Sequence, residues 1–374
     1  MSASLPVGSL GAAAAAAPVS GVVGDPASTA TPSRDAFRSS GQSPGVRTLH
    51  LVGPGRVGRA FLQQLGDLPV RVVAVSDASA TVFDRAGIGI DALVAHKASG
   101  GALATLPRAE SIPTELAIRI VAADIVVDAT PSDAGATAAA VQRGRAALQN
   151  GAFLALSGKN ALAAQAPEWL LGAFRDRVGV HAVLGGSGQQ LVRELPELRA
   201  HCRALALVGN VTTTAILEAI EGGATLAEGL AAARARGLLE PDPTLDLDGS
   251  DAATKLRAVW GAVFGESGTP SVPPERVARE DLRALDPTVL RERAARGSTT
   301  RLVARGSRGG SDLRVQFEEV PLGSPLAAPP DRVVYGYELP GGLRVHTGLA
   351  VGHERTAAAL LADVRQASGV EVRS

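Results

Sequence analysis

The densest chemistry in the chain lies between Glu240 and Lys255. Glu240, Asp242, Asp246, Asp248 and Asp251 share a loop stiffened by Pro241 and Pro243, and Lys255 follows it. Asp251 and Lys255 stand four residues apart, so a helix stacks them on one face. Ala252, Leu256, Val259 and Val263 keep helical spacing and predict a buried stripe on that helix. Gly249 and Ser250 read as its entry, with the Ser250 hydroxyl as the cap. Lysine is scarce: Lys97, Lys159 and Lys255 are the three among 37 basic residues, and the rest are Arg. A buried lysine shifts its pKa and exchanges protons, whereas Arg stays charged. A lysine beside fixed carboxylates therefore suits proton transfer, and the carboxylates suit a cationic amine. The same residues are also compatible with a solvated acidic loop capping an ordinary helix.

A second signal is Gly53-Pro54-Gly55-Arg56-Val57-Gly58, a G-x-G-x-x-G turn. It follows the apolar run Leu49–Val52 and opens a helical pattern at Val57, Ala60, Phe61 and Leu65. Another β-rich run, Val70–Val75, ends in Ser76-Asp77, and Asp77 lies 24 residues after Gly53. An acid about 20 residues on meets the adenosine ribose hydroxyls of a dinucleotide, and the glycines let the backbone reach its pyrophosphate. Asp77 repels a 2′-phosphate and favours NAD, while Arg56 suits that phosphate and NADP; on balance the expectation tilts to NAD.

These residues need elements to position them. From 47 to 180 strand and helix patterns alternate: Ile125–Val127 ends in Asp128-Ala129-Thr130-Pro131-Ser132, an Ala-rich helix runs from Asp133 to about Asn150, and Phe153–Leu156 precedes Ser157-Gly158-Lys159-Asn160. Such alternation predicts a doubly wound parallel sheet with its crevice beyond the carboxyl ends of the strands, which brings Thr130, Ser132 and Lys159 toward the glycine turn. Val178–Leu184 reads as a further strand and Gly185–Gly188 as a hinge. A strand at Ala204–Val208 and helices at Thr212–Glu221, Leu226–Arg236 and Asp251–Phe264 come next. Residues 270–330 read as irregular connections and edge strands, followed by a hairpin around Pro340-Gly341 and a terminal helix Thr356–Gln366.

Bulk composition sets limits. The 374 residues allow two domains, and a net charge of zero without a basic run points away from nucleic acid and anionic membranes. The single Cys202 gives no disulfide framework within one chain and fits a reducing compartment. Residues 1–46, with six alanines at Ala12–Ala17 and little charge, read as a disordered tail without the positive start of a secretory signal. No run reaches the ~18 apolar residues of a membrane span. The expected location is the cytoplasm. His181 and His353 lack ligand spacing, so no metal site is expected.

The acidic loop resembles the signature of homoserine dehydrogenases, Glu-x-Asp-Pro-x-x-Asp-x-x-Gly-x-Asp-x-x-x-Lys. Glu240, Asp242, Pro243, Asp246, Gly249, Asp251 and Lys255 stand at the matching spacing. The resemblance extends over most of 47–374, through the glycine turn, the strand ending at Asp128, the Leu156–Leu162 turn, the Thr212–Leu217 helix start and the Thr356-Ala357-Ala358 helix. It implies an α/β fold, a Rossmann-type doubly wound parallel sheet plus a second α/β (α+β) substrate and dimerisation domain. The implied division is 47–180 for the dinucleotide, 181–344 for substrate and dimer contacts, and 345–374 returning to the first domain. It further implies reversible conversion of L-aspartate 4-semialdehyde to L-homoserine with NAD or NADP, on the route to threonine and methionine, by a homodimer. Lys255 resembles the lysine near the transferred proton, with Asp251 orienting it, Lys159 as a second active-site lysine, and Glu240 and Asp246 on the substrate ammonium.

The chain also departs from the family. Ser157-Gly158-Lys159-Asn160 replaces Thr-Ala-Asn-Lys, which moves a lysine one place early. Asn210-Val211-Thr212-Thr213-Thr214 replaces Asn-Gly-Thr-Thr-Asn, and His181 and Gln189 stand where the family has Glu and Pro. Gly348-Leu349-Ala350-Val351-Gly352 replaces Gly-Pro-Gly-Ala-Gly. Two further functions therefore stay open at this level: an oxidoreductase of another small aldehyde or hydroxy acid, and a dinucleotide-binding regulatory paralogue without turnover.

Overall fold

The computed structural model describes residues 45–133, 135–239, 243–310, 312–349 and 352–369. The tail expected over 1–46 therefore lies, up to residue 44, outside the described residues. The first half runs β1 (Arg47–Val52), α1 (Arg56–Gln63), β2 (Val70–Ser76), β3 (Thr81–Phe83), α2 (Ile90–Ala98), β4 (Ala109–Glu110) and α3 (Thr114–Val121). It continues with β5 (Ile125–Asp128), α4 (Thr137–Gln149), β6 (Phe153–Leu156), α5 (Lys159–Leu171) and β7 (Val178–Gly179). These strands form a seven-stranded sheet, β4-β3-β2-β1-β5-β6-β7. From β2 to β7 the neighbours are parallel, and the winding reverses at β1. β3 and β4 extend it as a short antiparallel edge. The inner residues of β1 and the whole of β5 are buried because helices cover both faces of the sheet, and His50 is the buried polar residue within β1.

The second half adds α6 (Gly188–His201), β8 (Ala204–Val208), α7 (Val211–Glu221), α8 (Leu226–Ala235), α9 (Thr244–Leu247), α10 (Ser250–Phe264), β9 (Ala278–Arg279) and α11 (Pro287–Ala295). Then come β10 (Ser298–Ser307), β11 (Arg314–Pro321), β12 (Val333–Leu339), β13 (Gly342–Gly348) and α12 (Gly352–Ala367). A six-stranded sheet, β13-β12-β8-β10-β11-β9, results. α12 returns to the first sheet and packs Ala357, Leu360, Leu361 and Val364 with Ala60 and Phe61 of α1.

One contact between helices decides the site. Trp169 and Leu170 of α5 share a buried cluster with Leu256 and Val259 of α10, each such side chain being worth about 1.5–3 kcal/mol. The axes approach closely because a Cβ on Gly261 would lie 3.2 Å from both Ala166 and Pro167. Both helices run in the same direction, so their first turns, with Lys159 on one and Asp251 on the other, meet.

Two expectations change. The strand expected over Val178–Leu184 stops at β7, because the Leu184 and Gly186 amides turn back to the Val180 and His181 carbonyls at 3.2 and 2.8 Å. Gly185 and Gly186 allow it with φ of +62° and +85°. The region 270–330 holds β10, which lies inside the sheet between β8 and β11 rather than at its edge. Arg301 and Arg305 disguise that strand: Arg301 is buried, with Glu218 at 2.8 Å and the Ala328 carbonyl at 3.0 Å, and Arg305 pairs with Glu318.

Candidate active site

Asp251 sits between two ammonium groups. Lys159 Nζ approaches its Oδ1 at 2.6 Å and Lys255 Nζ its Oδ2 at 2.9 Å. Lys255 also donates to the Gly209 carbonyl at the end of β8. Gly209 is itself constrained, since a Cβ there would lie 3.1 Å from Lys255 Cδ. Asn210 closes the cluster. Its Oδ1 accepts the Thr213 amide at 2.8 Å and caps α7, while its Nδ2 donates to Asp246 at 2.8 Å and to Asp251 at 3.2 Å. Lys159, Asp246, Asp251 and Lys255 thus form one network, and the early lysine of Ser157–Asn160 still reaches Asp251. Glu240 lies outside the described residues.

The entry to α10 differs from expectation. Gly249 takes the left-handed conformation at φ +75°, and Asp248 Oδ1 accepts the Ser250 amide at 2.9 Å. Asp248 thus serves the orphan N–H, and the Ser250 hydroxyl instead accepts from Arg279 at 2.6 Å.

Burial alone would raise the Asp251 carboxyl, but the Lys159 and Lys255 ammoniums override it and hold it far below the carboxylate range. Burial lowers Lys255, opposed chiefly by Asp251. Burial and then the Asp251 charge raise Asp246. The cluster is a buried acid–base set in which a lysine proton is made easier to release and a carboxylate keeps it aimed.

The glycine turn lies at the other side of the crevice. Gly53 adopts φ +84°, and a Cβ there would lie 2.9 Å from the Thr130 amide; a Cβ on Gly58 would lie 2.2 Å from the Gly53 carbonyl. A Cβ on Gly55 would meet nothing within 4 Å, so the protein does not need that glycine for its own packing. α1 starts at Arg56 with no side-chain cap and no acid in its first turn, and its amides stay available to an anion. The turn from Gly53 through Val57 to Gly58 therefore fits a dinucleotide pyrophosphate.

The neighbours are tied to protein partners. Thr130 gives its amide and hydroxyl to Asp128 Oδ1 at 3.0 and 2.6 Å, and Arg143 bridges Asp128 and Thr130. Ser132 Oγ accepts the Lys159 amide at 2.9 Å and caps α5. Asp77 Oδ1 accepts from the Ser79 and Ala80 amides and the Ser79 hydroxyl. Its Oδ2 pairs with Lys97 at 2.7 Å. Against the upward pull of burial, Lys97 and Ser79 lower Asp77 to about 2. The residues not named as site residues from sequence are thus Asn210, Gly209 and Lys97. Lysine scarcity was the available signal for Lys97: all three lysines end on an aspartate. Among the described residues no group of three or more His, Cys, Asp and Glu is placed to hold a metal ion, and no helix is long and apolar enough to cross a membrane.

A doubly wound sheet with this glycine turn, facing a buried lysine–carboxylate cluster, defines an NAD(P)-dependent dehydrogenase acting on a CH–OH group. The family model described as homoserine dehydrogenase matches residues 194–364, and that of glutamate/leucine/phenylalanine/valine dehydrogenase matches 31–162. The chain is 26% identical to the NAD(+)-dependent homoserine dehydrogenase of Pseudomonas canavaninivorans over 84% of its own length and 94% of the relative's. It is also 26% identical to the homoserine dehydrogenase of Methanocaldococcus jannaschii, over 84% and 96%. A hyperthermophilic archaeal homoserine dehydrogenase in complex with NADPH shares the fold with a TM-score of 0.67, at 22% identity over 87% of this chain and 98% of that one. The enzyme from Thermoplasma acidophilum does so with a TM-score of 0.64, at 21% identity over 87% and 99%. Along most of its length the chain is similar to homoserine dehydrogenases.

Proposed function

We propose that this chain interconverts L-aspartate 4-semialdehyde and L-homoserine with NAD or NADP. The observation that carries the reading is Asp251 clasped by Lys159 and Lys255 at the end of the acidic loop. The nicotinamide, when bound, gives or takes the hydride. Every other demand falls on the chain. Gly53, Gly55 and Gly58, with Arg56 and Val57, would hold the pyrophosphate at α1, and Thr130 and Ser132 would border the crevice. Reduction leaves negative charge on the aldehyde oxygen; Lys255 protonates that oxygen, and in oxidation it takes the hydroxyl proton back. Asp251 aims Lys255, and Lys159 adds a second cation. Asp246, fixed by Asn210, and Glu240 hold the substrate ammonium. With Lys97 on Asp77, the acid is not free to reject a 2′-phosphate, which favours use of both nucleotides. On the family resemblance we extend the reading to a cytoplasmic homodimer on the route to threonine and methionine. In it, residues 47–180 with 345–374 bind the nucleotide, and 181–344 bind substrate and make the dimer.

The test compares L-homoserine with 4-hydroxybutanoate, the same chain without its amine. Oxidation of the analogue should show kcat/KM lower by about a hundredfold or more, because buried carboxylates are left unpaired. Equal rates, or no turnover of homoserine, would sink the assignment.

A further inference from the structure

Tyr335 on β12 is buried, yet its hydroxyl has no hydrogen-bond partner among the described residues. Burying an unmet hydroxyl costs stability, and Phe would fill the same space without that cost. The strand register places the side chain beside the lysine–carboxylate cluster. Tyr335 pairs with Leu207 of β8, and both side chains join the buried cluster that holds Leu256 and Val259 of α10. Ala206, Val208 and Val334 turn to the opposite face. Leu207 stands two residues before Gly209, so Tyr335 and Gly209 are diagonal neighbours on the α10 face, a spacing that long side chains bridge.

The Lys255 stem lies across that glycine, since a Cβ on Gly209 would stand 3.1 Å from Lys255 Cδ. Its ammonium gives one proton to the Gly209 carbonyl and one to Asp251, which leaves the third for a substrate oxygen. Tyr335 therefore stands beside the same stem, on the strand next to the one whose end holds the ammonium. Burial raises the phenol pKa and the Asp251 charge raises it further, so the hydroxyl stays a neutral donor. His346, opposite Tyr335 on β13, is committed elsewhere: its Nε2 meets Glu194 at 3.0 Å, and its ring packs on Tyr337 with centroids 4.6 Å apart.

We propose that Tyr335 is a further catalytic residue, whose hydroxyl donates to the substrate oxygen that Lys255 protonates. This rests on the reading of the cluster as the site of semialdehyde reduction. As the hydride forms the new C–H bond, the C=O π pair moves onto oxygen. Lys255 gives that oxygen its proton, and Tyr335 gives a hydrogen bond and keeps its own proton. Two donors on one oxygen, one charged and one neutral, share the developing charge. In oxidation the same bond holds the hydroxyl oxygen of the substrate beside the lysine that takes its proton.

The test is semialdehyde reduction by Tyr335→Phe at saturating nucleotide, with thermal melts of the chain alone beside it. kcat should fall about a hundredfold, the scale of one preorganised donor, with KM within about threefold of native. The alkaline limb of the pH–rate profile should stay in place, because Lys255 remains the proton donor. The melting temperature should stay level or rise, because the lost hydroxyl bonds nothing among the described residues. Tyr337→Phe, one row farther from Gly209 on the same face, is the control and should leave kcat within about twofold. Near-native kcat in Tyr335→Phe, an equal loss in Tyr337→Phe, or a displaced alkaline limb would overturn the proposal. So would a lowered melting temperature, the mark of a structural water shared with the unpartnered His346 Nδ1. A native chain that reduces no semialdehyde would overturn the functional reading and this proposal with it; native turnover with Tyr335→Phe unimpaired overturns the proposal alone.

Discussion

Asp251→Asn keeps the shape of the clasp and removes its charge. In the native protein one carboxylate answers Lys159 at 2.6 Å and Lys255 at 2.9 Å. At ~3 Å and an effective dielectric of ~20, each pair carries roughly 5 kcal/mol of Coulomb energy before desolvation is charged against it. Removing one partner from a buried pair costs about 3–5 kcal/mol in practice, and the two lysines relieve part of this by losing a proton. The Lys255 pKa, already lowered by burial, loses the influence that most opposes that lowering. In the aldehyde-reducing direction the protonated lysine is the active form, so the alkaline limb of the pH–rate profile moves to lower pH. At neutral pH the rate falls by about a hundredfold or more, the usual worth of a placed proton donor. The assay is semialdehyde reduction against pH, with urea unfolding alongside to confirm that the variant is folded. An Asn variant within about threefold of the native rate, with its alkaline limb unmoved, would refute the role given to the clasp.

The glycine turn gives a contrasting pair. Gly55→Val should abolish nucleotide binding with little loss of stability, because a Cβ at Gly55 meets nothing within 4 Å; Gly58→Ala should lower the melting temperature, because its Cβ would lie 2.2 Å from the Gly53 carbonyl. Calorimetric binding and thermal melts separate the two, and the opposite pattern would count against the assigned turn. Lys97→Met releases Asp77 and should weaken NADP binding relative to NAD by about tenfold, the scale of one lost charge contact. An unchanged ratio of the two affinities would show that Asp77 does not face the ribose.

The alternating strands and helices of 47–180 were legible because each strand is a short apolar run between turn residues, and the sheet needs nothing else to be recognised. The acidic loop was legible as chemistry because the spacing of Asp251 and Lys255 becomes a contact on any helix. What sequence could not supply was partnership across the chain. Lys159 meets Asp251 because α5 and α10 pack closely at Gly261, a contact with no local signature. Asp77, in the loop after β2, read as a free acid, yet Lys97 of α2 occupies it. β10 was hidden because Arg301 and Arg305 bracket its apolar residues 302–304, and their acceptors Glu218, the Ala328 carbonyl and Glu318 make those charges tolerable in a central strand.

The most direct measurement is homoserine-dependent reduction of NAD⁺ and NADP⁺ by the purified chain, followed by absorbance of the reduced nicotinamide, with Lys255→Ala beside it. Turnover with both nucleotides, cut about a hundredfold or more in the variant while nucleotide binding persists, is the predicted result. Near-native turnover in Lys255→Ala, or nucleotide binding without any turnover in the native chain, would contradict it.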